Sequence, residues 1–129
     1  MKTILKRSKI LFSVLFIVPV LIFSSCHKEG TGGHSSVSGN VKHHTKLIPG
    51  AVVYIKYGAT EFPGTDVSKY DASVTSDTNA HYEFKDLRKG DYFLYGVGYD
   101  PSGPYTVTGG ISVKLKYNKA STTDVPVTE

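Results

Sequence analysis

"SDTNAHYEFKDLRKGDYFL", residues 76–94, is the stretch on which the fold turns. Asp77 and Asn79 are residue types that tolerate turn geometry and hydrogen-bond to nearby backbone. From His81 onward the pattern becomes strict alternation, with Tyr82 and Phe84 on one side and His81, Glu83 and Lys85 on the other. That period of two is the signature of a half-buried strand. Gly90 then opens "DYFLYGVGY" (91–99), which is apolar on both faces and reads as a more central strand.

The same alternation extends in both directions. "VSGNVKH" (37–43) sets Val37, Gly39 and Val41 on one face, and "GAVVYIKYG" (50–58) sets Ala51, Val53 and Ile55 opposite Val52, Tyr54 and Lys56. "ASVTS" (72–76) is short. "ISVKLKY" (111–117) aligns Ile111, Val113, Leu115 and Tyr117, and "TTDVPVTE" (122–129) reads as an edge strand because Pro126 cannot donate to a ladder. There is no helical periodicity. About seven short strands bounded by Gly, Pro, Asn and Asp predict an all-β, antiparallel Greek-key β-sandwich over residues 37–129. Two connections stand out: "GATEFPGTDVSKYD" (58–71), longer than ordinary loops, and "DPSGP" (100–104).

"PGAVVYIK" (49–56) followed by the 76–94 stretch resembles the carboxypeptidase regulatory-like domain, a transthyretin-like (prealbumin-like) or Cna-B-like sandwich. The family pattern is a Pro-Gly-Ala opening, an Asp-x-x-Gly-x-Tyr-x-Phe hairpin and then Leu-x-x-Gly-x-Tyr. Pro49, Gly50 and Ala51 match the first part, Asp77, Tyr82 and Phe84 the second, and Leu87, Gly90 and Tyr92 the third. Ala80 stands where the hairpin glycine would be, which implies a different turn or strain at positive φ. The matched residues are core and turn positions, so the resemblance implies a fold and almost nothing about activity.

The amino-terminal third is of another kind. "MKTILKRSK" (1–9) is positively charged, and the apolar run "ILFSVLFIVPVLIF" (10–23) is 14 residues long and contains Pro19. A spanning helix needs about 20 apolar residues, so this run fits a signal peptide. Ser24 and Ser25 then precede Cys26, the sole cysteine, in a pattern that resembles a bacterial lipobox, although Phe23 replaces the usual Leu. The expected organisation is a lipoprotein signal peptide at 1–25, a lipidated Cys26 and flexible tether at 26–36, and the sandwich at 37–129. "GTGGHSS" (30–36) supplies the tether. Lys28 and Glu29 resemble the start of a surface-export signal of Gram-negative lipoproteins, with Gly30 where a second acid would stand. These readings lead to the expectation of a protein held by lipid on the outer membrane, facing either the cell surface, which Lys28 and Glu29 favour, or the periplasm.

Charge excludes one function class. The net charge is +4, but Lys2, Lys6, Arg7 and Lys9 precede any acid, and the remaining eleven bases balance eleven acids. The electrostatic footprint of a nucleic-acid binder is missing. One cysteine allows neither an internal disulfide nor a zinc ribbon. Among the five histidines, His43 and His44 are neighbours on a strand and point to opposite faces, so no metal and no cofactor is expected, and all five read as solvated. Hydroxyisourate hydrolases of the transthyretin-like group end in Tyr-Arg-Gly-Ser; this chain ends in "VPVTE", and nothing carries over. Some Cna-B-like domains form a Lys–Asn crosslink, for which Lys42 or Lys56 with Asn118 and Glu83 would be the nominees, though ordinary surface roles are favoured. Asp66 and Asp71 read as solvated loop acids.

The nine tyrosines all follow Gly50. Tyr82 and Tyr92 read as core, whereas Tyr57, Tyr70, Tyr99 and Tyr105 flank or occupy loops and are the better ligand candidates, with Tyr70, Tyr99 and Tyr105 the ligand-binding residues expected. The expected function is a non-enzymatic, lipid-anchored module for binding or structural interaction at the cell envelope. The alternative is a carbohydrate-binding accessory lipoprotein that uses the loop tyrosines. The expected partners are the membrane, through the lipid, and an envelope protein or a glycan.

Overall fold

Nine strands and one 3-10 turn make up residues 28–129, the part of the chain that the computed structural model describes. The segment read as signal peptide (1–25) and Cys26 lie outside the described residues. The first sheet is built around β1 (Thr31–His43). On one side β1 pairs antiparallel with β2 (Lys46–Leu47) and β5 (His81–Leu87). On the other it pairs parallel with β8 (Ala120–Thr122) and β9 (Val125–Val127). The second sheet is antiparallel throughout, in the order β4 (Ala72–Thr75), β3 (Val52–Tyr57), β6 (Gly90–Asp100), β7 (Tyr105–Leu115).

The two sheets bury their alternating faces against each other, as in any face-to-face sandwich. Val37 and Val41 of β1 meet Val53 and Ile55 of β3 and Leu94 of β6 in one apolar cluster. As the apolar run predicts, β6 is an inner strand: Tyr92 and Leu94 face the core, while Phe93 and Tyr95 are buried on the outer side. The sheets also join at one seam, where Thr108 and Thr128 exchange both backbone hydrogen bonds at 2.8 Å.

Turn chemistry explains the hairpin that opens the sequence reading. Asp77 accepts hydrogen bonds from the N–H groups of Asn79 (2.8 Å) and His81 (2.9 Å). This closed turn holds Ala80 at φ +60°, fully buried, the positive φ that its substitution for glycine implies. Farther along, Asp86 adopts φ +56°, and the register shifts between Val37 and Ser35. The resulting bulge puts Lys85 and Asp86 both outward and returns Leu87 to the core.

Four expectations are corrected. The stretch 30–36, read as a flexible tether, is ordered: Gly30 is buried and 31–36 form the first half of β1. Its glycines and serines serve close approach, for a Cβ on Gly33 would lie 2.2 Å from Leu87 O, and buried Ser35 donates to Lys116 O at 2.6 Å. The C-terminal run is two short strands parallel to β1, not one antiparallel edge strand. β7 begins at Tyr105, six residues before the strand expected at Ile111, and Tyr117 lies beyond its end and is 71% exposed. Finally, His43 is buried at 7% exposure, not solvated.

Candidate functional site

Three places on the molecule gather polar or aromatic groups. The first is the outer face of the second sheet, which the 58–71 loop covers. Tyr54 of β3 and Phe93 and Tyr95 of β6 point outward, since odd-numbered β6 residues oppose the core. Phe62 packs on Phe93 and Tyr95 with ring centroids at 5.8 and 5.3 Å, and Tyr70 stacks on Tyr95 at 5.6 Å. The loop is pinned by Tyr70, whose hydroxyl donates to Gly64 O at 2.8 Å, and by Asp66, which caps the turn Val67–Lys69. Burial in this cluster pushes the Tyr70 hydroxyl up to about 12. Tyr70 is thus a packing residue of the loop, and Phe62, 51% exposed, is the ring this platform shows to solvent.

The second place is the pole where β1 ends. His43 Nδ1 lies 3.0 Å from Asp100 Oδ2, and Lys46 Nζ lies 2.6 Å from Asp100 Oδ1. Ser102 gives Asp100 two more hydrogen bonds, from its N–H (2.9 Å) and its hydroxyl (2.7 Å). So many donors hold the Asp100 carboxyl far below the usual carboxylate range, the Lys46 contact foremost and that of His43 next. The His43 pKa is raised, chiefly by Asp100, with burial opposing and Glu129 assisting. Glu129 Oε2 approaches His43 Nε2 to 2.8 Å, but off the line of the ring N–H, so the contact is an ion pair without hydrogen-bond geometry. Tyr105 closes the cluster with its ring edge-on to His43 at 5.8 Å.

The third place is the opposite pole, where the described chain begins. Gly30 N donates to the Tyr92 hydroxyl at 2.9 Å, and that hydroxyl donates to Arg88 O at 2.6 Å. Arg88 N returns to Gly30 O at 2.8 Å, and the Arg88 guanidinium reaches Lys28 O at 3.3 Å. Glu29 accepts from Asp91 N at 3.3 Å, over a Gly90 whose Cβ would stand 2.4 Å from the Glu29 side chain. Residues 28–30 are therefore clamped to the turn between β5 and β6.

The three candidate tyrosines do not converge. Tyr70 belongs to the covered outer face; Tyr99, 56% exposed, lies on that face near the His43 pole; Tyr105 is half-buried and packs on His43. The nominated lysines are paired elsewhere, Lys42 with Asp124 at 2.8 Å and Lys56 with Asp71 at 3.6 Å. Asp71 also accepts from Tyr57 N at 2.7 Å and so ties the end of the long loop to β3. An open groove of about 580 Å3 follows the seam beside Lys42, His44, Ile111, Asp124 and Val127. No group of three or more metal-ligating side chains occurs among the described residues. The His43 cluster had no signal in the sequence, because its members come from β1, β2, β6 and the last residue. No family model matches the chain, and no curated protein matches it.

Proposed function

We propose that the protein is a non-enzymatic, lipid-anchored β-sandwich that serves binding or structural interaction at the bacterial outer membrane. The observation that carries this reading is the clamp at Lys28–Gly30. The folded domain starts two residues after Cys26, a distance of at most about 7 Å even fully extended. A cysteine preceded by an apolar run and two serines, and followed at once by a docked domain, suits a thiol that carries lipid. The carboxypeptidase regulatory-like resemblance supports an accessory role. Its matched positions Ala51, Tyr82, Phe84, Leu87 and Tyr92 are buried, and Ala80 takes up the backbone of the glycine it replaces. Ser102 hydrogen-bonds Asp100 rather than His43, an arrangement that suits structure better than nucleophilic attack. The carbohydrate-binding alternative gains nothing from the geometry, since its three tyrosines lie apart.

The test is Cys26→Ala in the producing cell. Metabolic labelling with a radioactive fatty acid should disappear, and the domain should move from the membrane to the soluble fraction. A variant that stays unlabelled yet membrane-bound at full precursor size would mean that the apolar run itself is the anchor.

A further inference from the structure

We infer that the pole where the chain begins is a membrane-seating surface, held against anionic phospholipid headgroups. This rests on the lipid-anchor reading above and adds an orientation to it. Gly90 pairs with Leu115 across β6 and β7, so the segment 116–119 lies beside the β5–β6 turn that clamps Lys28. Ser36 N fixes that segment by donating to Lys119 O at 3.1 Å. Lys28, Arg88, Lys89, Lys114, Lys116 and Lys119 therefore gather at one pole. The carboxylates there are Glu29, Asp71, Asp86 and Asp91; Glu29 is turned onto the Asp91 N–H, and Asp71 is bound to the Tyr57 N–H and paired with Lys56.

The opposite pole has the other sign. Asp77, Asp100, Asp124 and Glu129 lie there, and its lysines 42 and 46 are already bound to Asp124 and Asp100. The even balance of charge over the domain is thus divided into a basic pole and an acidic one. An anionic bilayer favours each nearby Lys or Arg by roughly five-fold in partitioning, within a screening length of about 10 Å. A lipid on Cys26 holds Lys28 inside that length, because two residues span at most about 7 Å. Tyr117 projects from the 116–119 segment at 71% exposure, and an amphipathic ring is at home among headgroups. Seated this way, β6 runs away from the membrane for about 35 Å and lifts Tyr99 and the His43 cluster clear of it.

The chain contains no Trp, so Tyr117→Trp and Tyr99→Trp each install a single tryptophan, one per pole, excited selectively over the remaining tyrosines. The lipidated full chain is placed in phosphatidylethanolamine/phosphatidylglycerol vesicles that carry a nitroxide on the headgroup. Emission from position 117 should be quenched several-fold more than emission from position 99. That difference should vanish in phosphatidylcholine vesicles or in molar salt, and when Lys89→Glu, Lys116→Glu and Lys119→Glu are added to Tyr117→Trp. The salt arm needs no further substitution and covers a charge variant that misfolds. Equal quenching at both positions in protein that still floats with the vesicles overturns the seating and leaves the anchor intact. Quenching indifferent to headgroup charge and salt overturns the anionic partner. Protein that fails to float, with and without Cys26→Ala, overturns the anchor reading and the seating with it.

Discussion

Asp86 holds φ +56° on the solvent side of β5, and the bulge it makes is what turns Leu87 back into the core. A left-handed conformation costs an L-residue about 1–2 kcal/mol, and glycine gives back part of that relief through its freer unfolded chain. Asp86→Gly is therefore expected to raise stability by about 0.5–1 kcal/mol, read from the urea midpoint at unchanged slope. Ala80 shares the backbone geometry but is fully buried, so glycine there would also delete a packed methyl, and no comparable gain is expected. His43 sets a pH dependence. It faces Asp100 directly, with Lys46 beyond that carboxylate, and Glu129, His44 and Tyr105 around the ring. Its folded pKa is raised above the ordinary 6.5, so its contribution is complete below 6.5 and is lost as pH rises through the folded value. Asp100 is lowered, so its contribution is present above the ordinary carboxylate range and fails only in strong acid. The melting temperature should fall as pH rises from 6 to 8, and His43→Gln should flatten that slope; a slope unchanged in the variant would assign it to another group. The Ala80 backbone was legible in the sequence because a known turn pattern frames it. His43 was not, since its partners are brought to it only by tertiary folding.

β1 carries partners along both edges, and the chain steps from β8 to β9 along one of them. Gly39 marks the step: a Cβ there would lie 2.0 Å from Thr123 O. Thr123 N donates to Ser38 O at 2.8 Å and Asn40 N to Asp124 Oδ1 at 2.9 Å, while the Tyr82 hydroxyl donates to Thr123 O. Gly39→Ala must push this backbone aside, at an expected cost of about 1–3 kcal/mol in urea unfolding. Amide exchange at Asn40 and Thr123 should accelerate before that of the second sheet. Alternation revealed β3 and β5, and a run apolar on both faces revealed β6, because their buried residues are mostly large. It missed the first halves of β1 and β7, where Gly33, Gly109 and Gly110 and short polar residues sit on strands defined by backbone contact. Parallel pairing of the C-terminal run was likewise illegible, since Val125 and Val127 alternate the same way in either direction.

At the scale of the whole molecule, the difference between a tether and a clamped strand changes how the domain meets its surroundings. Gly30 is buried under the Tyr92 hydroxyl, and β1 follows at once with neighbours on both sides. A protease needs several residues of extended, unpaired backbone in its cleft, and the described chain from Lys28 into β1 offers none. The exposed 58–71 loop is the softer target, but a cut there leaves two pieces held in one core, with β3 and β6 still paired. Treating vesicle-bound protein with a broad protease should nick that loop and release no domain until the melting temperature is approached. Early release of an intact 28–129 fragment would show that the clamp opens. A lipoprotein on a stalk can be shed from its cell; with the lipid on Cys26 proposed above, a domain clamped from Lys28 onward would stay for as long as it stays folded, and its turnover would be set by unfolding.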